Sequence, residues 1–265
     1  MEKKKIVDTT LRDGEQSPGI AFTEEEKIEI ATALDKIGVY EIEVGIPQMK
    51  VEGLDYIEKL KEHCNSSKLS LWSRMKLDDV KSAVSYKPDI IHIGAPVSYV
   101  QIYNKLKKNK SWVQKTIGEC IEIAKEKGVH ITVGFEDSSR ADEGFIINLA
   151  KSIKNMGADS IRIADTVGIL TPKRAGLIVK SIRNEVDIDI EFHAHNDFGM
   201  AIANSIESAK SGADLVDCTL FGIGERSGNC DLYKFLHSCD RIFDFGIDKK
   251  DVRTVENKFK HLLEV

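Results

Sequence analysis

Two histidines separated by one residue, His193 and His195 in Glu191-Phe-His-Ala-His-Asn-Asp197, concentrate more potential chemistry than any other short stretch of this sequence. The segment reads as the end of a β-strand. Side chains on a strand alternate faces, so both imidazoles point the same way. Two imidazoles on one face chelate a divalent cation when further ligands join them; without such ligands they make an ordinary hydrogen-bonded polar patch. A third donor must therefore come from elsewhere in the chain, and the elements that carry the pair decide where.

Those elements alternate regularly. Strands are expected at 5–9, 40–45, 69–74, 89–94, 129–135, 160–165, 189–195 and 215–221. Helices are expected at 23–38, 51–62 and 77–86, then as a long helix ending near Lys127, at 141–156, after Thr171-Pro172, at 200–211 and from about Asp231. Thr23 with Glu26 three residues on is a capping-box pattern, Gly38 suits a helix end, and Pro172 suits a first turn. The charged, amphipathic tail from about Asp251 reads as one more helix. Eight strand–helix pairs specify a parallel sheet, and eight is the number that closes an α/β (β/α)8 TIM barrel. Their even spacing favours the barrel over an open doubly wound sheet. Residues 1–265 are read as one catalytic domain.

A barrel places its chemistry at the C-terminal ends of its strands. Following the strands in order, those ends carry Arg12, Asp13 and Gln16; Glu43; Trp72 and Arg74; His92; Glu136 and Asp137; Asp165 and Thr166; His193 and His195; and the loop Gly222 to Asn229. Asp13 is the expected third ligand, because closure brings the first strand beside the eighth and close to the seventh. One carboxylate and two imidazoles leave positions open on an octahedral ion, which suits catalysis rather than a structural site. Gly222 and Gly224 have the spacing GxGxxxG with Gly228, but no βαβ unit follows. They read as a tight loop that lets backbone approach a ligand.

Composition narrows the class. A net charge of −5 does not suggest a nucleic-acid binder or a membrane-surface protein. Five cysteines without CxxC spacing argue against a disulfide framework or thiolate zinc site and suit a reducing cytoplasm. No apolar run at the start resembles a signal peptide or a membrane span.

Three stretches carry a resemblance: Asp8-Thr-Thr-Leu-Arg-Asp-Gly-Glu-Gln16, His193-Ala-His195-Asn-Asp197 and Gly222-Ile-Gly-Glu-Arg-Ser-Gly-Asn229. Together, and in this order, they resemble the signatures of the metal-dependent TIM-barrel acyltransferases and lyases, a group spanning isopropylmalate, homocitrate and citramalate synthases and hydroxymethylglutaryl-CoA lyase. The likeness covers nearly the whole chain and is strongest to the nitrogen-fixation branch of homocitrate synthases, with lesser support from Trp72-Ser-Arg-Met75 and Val133 to Asp142.

The resemblance implies a Claisen condensation in which acetyl-CoA, a 2-oxo acid (2-oxoglutarate in that branch) and water give a hydroxy acid and CoA. It implies Asp13, His193 and His195 as ligands of Mg2+, Mn2+, Zn2+ or Co2+, and Arg12 as the stabiliser of oxyanion charge. Thr166 would bind the oxo acid carboxylate. Asn229 would order a ligand or water, and Glu43 and Gln16 would orient Arg12 and the ligands. Glu136 would be an acid–base group. Plainer roles stand beside these: Arg12–Glu43 as a structural ion pair, Thr166 as a turn cap, Glu136 as helix N-terminal charge, and His92 as a satisfied core histidine.

The pattern departs from the family in two places. Lysine-pathway homocitrate synthases build the oxo acid pocket from a histidine, an aspartate, an arginine and a serine, where this chain has Trp72, His92, Thr132 and Gly134. Arg74 or a protonated His92 would then meet the distal carboxylate, unless the oxo acid is smaller. Full-length synthases also continue into a C-terminal lid, which this sequence lacks. The expectation is a barrel subunit completed by a second polypeptide, pairing as a homodimer or with that chain. The lyase alternative is disfavoured because the loop Gly222 to Asn229 holds no cysteine. A non-enzymatic scaffold would need none of the Arg12, Asp13, His193 and His195 set.

Overall fold

Eight parallel strands close on one another in the computed structural model, which describes residues 1–47 and 56–262. The barrel strands are β2 (Lys5–Asp8), β3 (Glu41–Glu43), β4 (Lys68–Arg74), β5 (Ile90–Pro96), β6 (His130–Glu136), β7 (Ser160–Asp165), β8 (Asp189–Ala194) and β9 (Leu215–Cys218), and β9 pairs back onto β2. Between and after them run α1 (Glu24–Lys36), α2 (Tyr56–His63), α3 (Leu77–Ser85), α4 (Lys110–Glu126), α5 (Glu143–Met156), α6 (Pro172–Arg183), α7 (Ala201–Lys210) and α8 (Leu232–Cys239). The (β/α)8 barrel expected from the alternation is the fold. The helix expected at 51–62 begins outside the described residues.

Local chemistry explains the elements. Thr23 and Glu26 form the reciprocal capping box at the start of α1, and Pro172 occupies the first turn of α6. Outward positions of the strands, such as Phe135, Ile163 and Phe192, share register and are buried under the helices. The inner positions of β6 to β8 are polar instead, with Thr132, Arg162, Glu191 and His193 all buried. A barrel interior this polar requires mutual pairing of its charges.

Several boundaries differ from the sequence expectation. The long helix before Lys127 is two pieces: a π-helical turn at Val100–Lys105, then α4, restarted where Asn109 accepts a hydrogen bond from Trp112 N–H. The helix expected at 141 starts at Glu143, because Asp142 caps it through Phe145 N–H. The last barrel strand ends at Cys218 rather than 221, since Phe221 and Gly222 take positive φ angles of 58° and 69° and turn the chain. The tail helix α9 (Lys249–Phe259) starts two residues early, behind the Asp248 cap. A small parallel pair, β1 (Glu2–Lys3) with β10 (Phe243–Asp244), was not expected; two-residue strands carry no periodicity to read.

Candidate active site and metal centre

The strand ends converge on a cavity of about 190 Å³. Its lining includes Arg12, Asp13, Gln16, Trp72, His92, Gly134, Glu136, Arg162, Ala164, Thr166, His193, His195 and Glu225. Asp13 leads into a short 3-10 turn, Gly14–Gln16, after β2; His193 lies in β8 and His195 just beyond it. Asp13 Oδ2, His193 Nε2 and His195 Nε2 form a triangle with edges of 3.4, 3.5 and 3.9 Å. The centre of such a triangle is about 2.1 Å from each corner, the length of a metal–imidazole or metal–carboxylate bond.

The surroundings suit a cation. His193 Nδ1 donates to Asp217 Oδ2 at 2.9 Å, which turns Nε2 toward Asp13 and His195. Burial disfavours charge on His193, but Asp13 and Asp217 outweigh it and raise its pKa, so positive charge is stabilised at this ring. His195 is pushed down to about 4 by burial and by His193, which keeps it in the neutral form a metal requires. Burial would raise Asp13; Arg12 and the histidines hold it well below the usual carboxylate range. Asp13 Oδ1 accepts from Asn229 Nδ2 at 2.8 Å and from Glu225 N–H at 3.1 Å, leaving Oδ2 toward the histidines. The donor set of one carboxylate and two imidazoles fits a divalent cation.

Arg12 spans two carboxylates, with Nε 2.5 Å from Glu43 Oε2 and Nη1 2.6 Å from Asp13 Oδ2. The Arg12–Glu43 ion pair exists, and Arg12 also lines the cavity. Glu43 itself does not line it. Glu43 is fully buried and further binds Arg162 Nη1 at 3.1 Å and His92 Nδ1 at 2.9 Å. Burial opposes its charge, but Arg12 and Arg162 hold its pKa well below the usual range. Its position makes it a group that orients Arg12 rather than one that touches a substrate.

Glu136 ends β6 and lines the cavity; burial raises its pKa. The nearest regular helix begins seven residues later, at Glu143. Thr166 Oγ1 accepts Asp137 N–H at 2.8 Å, which is the turn role, and it also lines the cavity. Gln16 lies at the exposed rim.

Not every expected residue reaches the cavity. Arg74 does not line the cavity: its side chain is exposed and its Nε is drawn to Asp79 at 2.6 Å. His92 lines the cavity but is held toward its neutral form, since burial and Arg162 push its pKa down to about 4. With the Nδ1 proton donated to Glu43, His92 Nε2 faces the cavity as an acceptor. Gly222 and Gly224 do not line the cavity either. A Cβ at Gly224 would fall on Asn229 Nδ2, so this glycine makes room for the Asn229–Asp13 contact. Asn229 lies behind Asp13 and reaches the site through it.

Arg162, Asp217 and Glu225 were not singled out from the sequence. Arg162 is 1% exposed, with Nε on Glu191 at 2.5 Å and Asp217 at 3.0 Å. Burial pushes Glu191 well up, so Glu43 and Asp217 carry the negative charge facing this guanidinium. The available signal was the spacing: Arg162 stands two residues before Ala164 and four before Thr166, on the inward face of its strand.

Residues 3–258 match the HMGL-like family. The homocitrate synthase subunit alpha of Clostridium pasteurianum is 44% identical over 263 residues, covering 98% of each chain. The 2-isopropylmalate synthase 2 of Caldanaerobacter subterraneus subsp. tengcongensis is 41% identical, covering 94% of this chain and 66% of its own. Hydroxymethylglutaryl-CoA lyase from Pseudomonas aeruginosa superposes with a TM-score of 0.85 at 18% identity, covering 100% of this chain and 94% of its own, and so shares the fold. With synthases at this identity along its length, the protein is an acyltransferase-type enzyme. The chain belongs to the HMGL-like family.

Proposed function

We propose that the protein is a homocitrate synthase: it condenses acetyl-CoA with 2-oxoglutarate and water, releasing CoA, in support of nitrogenase cofactor synthesis. The observation that carries the reading is Arg12 held by Glu43 at the edge of the Asp13–His193–His195 triangle, which puts a fixed cation beside a metal-binding donor set. When bound, a divalent cation (Mg2+, Mn2+, Zn2+ or Co2+) supplies Lewis acidity to the ketone of the oxo acid.

The chain's own groups take the remaining roles. Thr166 receives Asp137 N–H and keeps its own O–H to donate to the oxo acid carboxylate. Removal of a methyl proton from acetyl-CoA makes an enolate, whose carbon attacks the ketone carbon while the ketone oxygen gains the charge and then a proton. Glu136, a cavity carboxyl of raised pKa, is the acid–base group for these proton movements. Arg12 stabilises the oxyanion with donors already fixed by Glu43. Water then cleaves the thioester and CoA leaves.

A second polypeptide is part of the proposal, supported by the word "subunit" in the name of the Clostridium relative that aligns end to end. The 41% identity to an isopropylmalate synthase favours a second reading, in which the oxo acid is branched and aliphatic. A thiol-release assay over a panel of 2-oxo acids, with acetyl-CoA and Mg2+ or Mn2+, separates the two. It is run on the chain alone and on the chain purified with its native partner. Absence of thiol release with every oxo acid in both preparations would defeat the synthase reading.

A further inference from the structure

We propose that Arg162 selects a dicarboxylic oxo acid by receiving the carboxylate at its far end. The inference deepens the oxo acid reading above and rests on it. Barrel interiors are stacked layers of inward side chains. One layer here runs in register through Gly94, Gly134, Arg162 and Glu191. The layer nearer the cavity mouth holds Ala164 and His193; the one below holds His92 and Thr132. Two successive positions of the middle layer carry no side chain. A Cβ at Gly94 would lie 2.6 Å from Trp72 and 2.7 Å from Glu136 Oε1, and one at Gly134 would fall on His92 Nε2. These glycines make room for Trp72, Glu136 and His92, and beneath the small Ala164 the cavity forms a shaft from the histidine pair to Arg162 and His92, all of which line it.

Arg162 presents one unused edge to that shaft. Nε serves Glu191 and Asp217, Nη1 serves Glu43, and Nη2 is buried with no partner among the described residues. Three acidic side chains, Glu43 and Asp217 charged and Glu191 as a neutral acceptor, thus fix the guanidinium, and its remaining donors require an acceptor. A carboxylate is the complementary group, being planar and acceptor-only. His92 does not compete for the anion; its Nδ1 proton goes to Glu43 and thereby helps fix Nη1 of Arg162. Layers two residues apart are separated by ~6–7 Å along a strand, a span suited to an oxo acid with a short methylene arm between its carboxylates. An aliphatic arm would leave Nη2 unpaired in a dry seat, which a polar site rejects.

Arg162→Lys keeps a cation among Glu43, Glu191 and Asp217 while withdrawing the planar donor edge. If Arg162→Lys fails to fold by circular dichroism, the 5-methyl ester of 2-oxoglutarate, whose far end carries no charge, is titrated on the unaltered protein and should bind roughly 50-fold more weakly than 2-oxoglutarate, equal affinity overturning the assignment. The unaltered protein and Arg162→Lys, with Mg2+, are titrated calorimetrically with 2-oxoglutarate and with 2-oxohexanoate, which has similar length and ends in a methyl group. The unaltered protein should prefer 2-oxoglutarate. Arg162→Lys should weaken that acid roughly 50-fold and shift 2-oxohexanoate by less than about threefold. Equal weakening of both acids, or no preference in the unaltered protein, overturns the assignment. CoA release is measured in parallel. Selective binding lost in Arg162→Lys without any CoA release, from the chain alone or with its partner, leaves the seat standing and removes the synthase reading. Turnover of oxo acids with a preference that Arg162→Lys does not change does the reverse.

Discussion

Glu43 reaches no cavity surface, yet three cavity groups depend on it: Arg12, Arg162 and His92 each bind its carboxylate. Replacing it by Gln keeps the size and removes the charge that holds Arg12. In Glu43→Gln, kcat should fall about 100-fold, the scale for a misaligned oxyanion donor, while cation affinity changes only a few-fold because Asp13, His193 and His195 remain. CoA-release kinetics with equilibrium dialysis reads both, and an unchanged kcat would remove Arg12 from the chemistry. Asp8 makes a separate prediction about stability. Burial raises its pKa to about 7 from an ordinary 3.8, so the folded state holds a proton that the unfolded chain has lost between those values. Its contribution is intact below about pH 4 and declines as pH rises toward 7. Asp8→Asn should therefore be the more stable protein at pH 8, on the order of 2 kcal/mol relative to the comparison at pH 5. Urea unfolding at both pH values tests this, and an equal effect at each counts against it. Asp13, His193 and His195 could be read from the sequence because they stand at strand ends, where a barrel collects its chemistry. Arg162 and Asp217 could not be read that way. They lie inside apolar strands, and only a count of inward positions shows that Arg162 shares the face of Thr166.

Strand and helix identity was legible wherever periodicity and caps agreed, as at Thr23–Glu26 and Pro172. It failed where a side chain overrides periodicity. Asn109 and Asp142 each capture a backbone N–H and restart a helix later than the apolar pattern implies. The loop after β9 shows a subtler limit. Its glycines suggested backbone contact with a ligand, whereas Gly224 makes room for Asn229, which holds Asp13. The two roles give opposite expectations for Gly224→Ala. If the glycine serves the Asn229–Asp13 contact, the methyl group displaces Asn229 and weakens cation binding by roughly 10-fold or more, as loss of a group that orients a ligand does. CoA affinity should be unchanged. Dialysis of Mn2+ against the variant, beside a CoA titration, separates them; a loss confined to CoA would restore the ligand-contact role.

At the scale of the molecule, the donor triangle joins parts of the barrel that are remote in sequence. Asp13 follows the first barrel strand, and the histidines end the seventh, 180 residues later. An ion bound to all three therefore favours only the closed barrel, because the unfolded chain does not hold these groups together. Such a ligand stabilises the folded state by an amount set by its concentration relative to Kd, about 2.7 kcal/mol at 100-fold excess. For a chain of this size that corresponds to a rise in Tm of roughly 5–8 °C. Chelation by EDTA should remove the rise, and adding Mn2+ should restore it. His193→Ala deletes a donor that is buried and ordered by Asp217, so the variant should melt at one temperature with or without EDTA. Scanning calorimetry of both proteins, with and without chelator, makes the comparison independent of any assay of turnover. If EDTA lowers both Tm values equally, the stabilising cation is held elsewhere, and the triangle of Asp13, His193 and His195 loses its assignment as the metal centre.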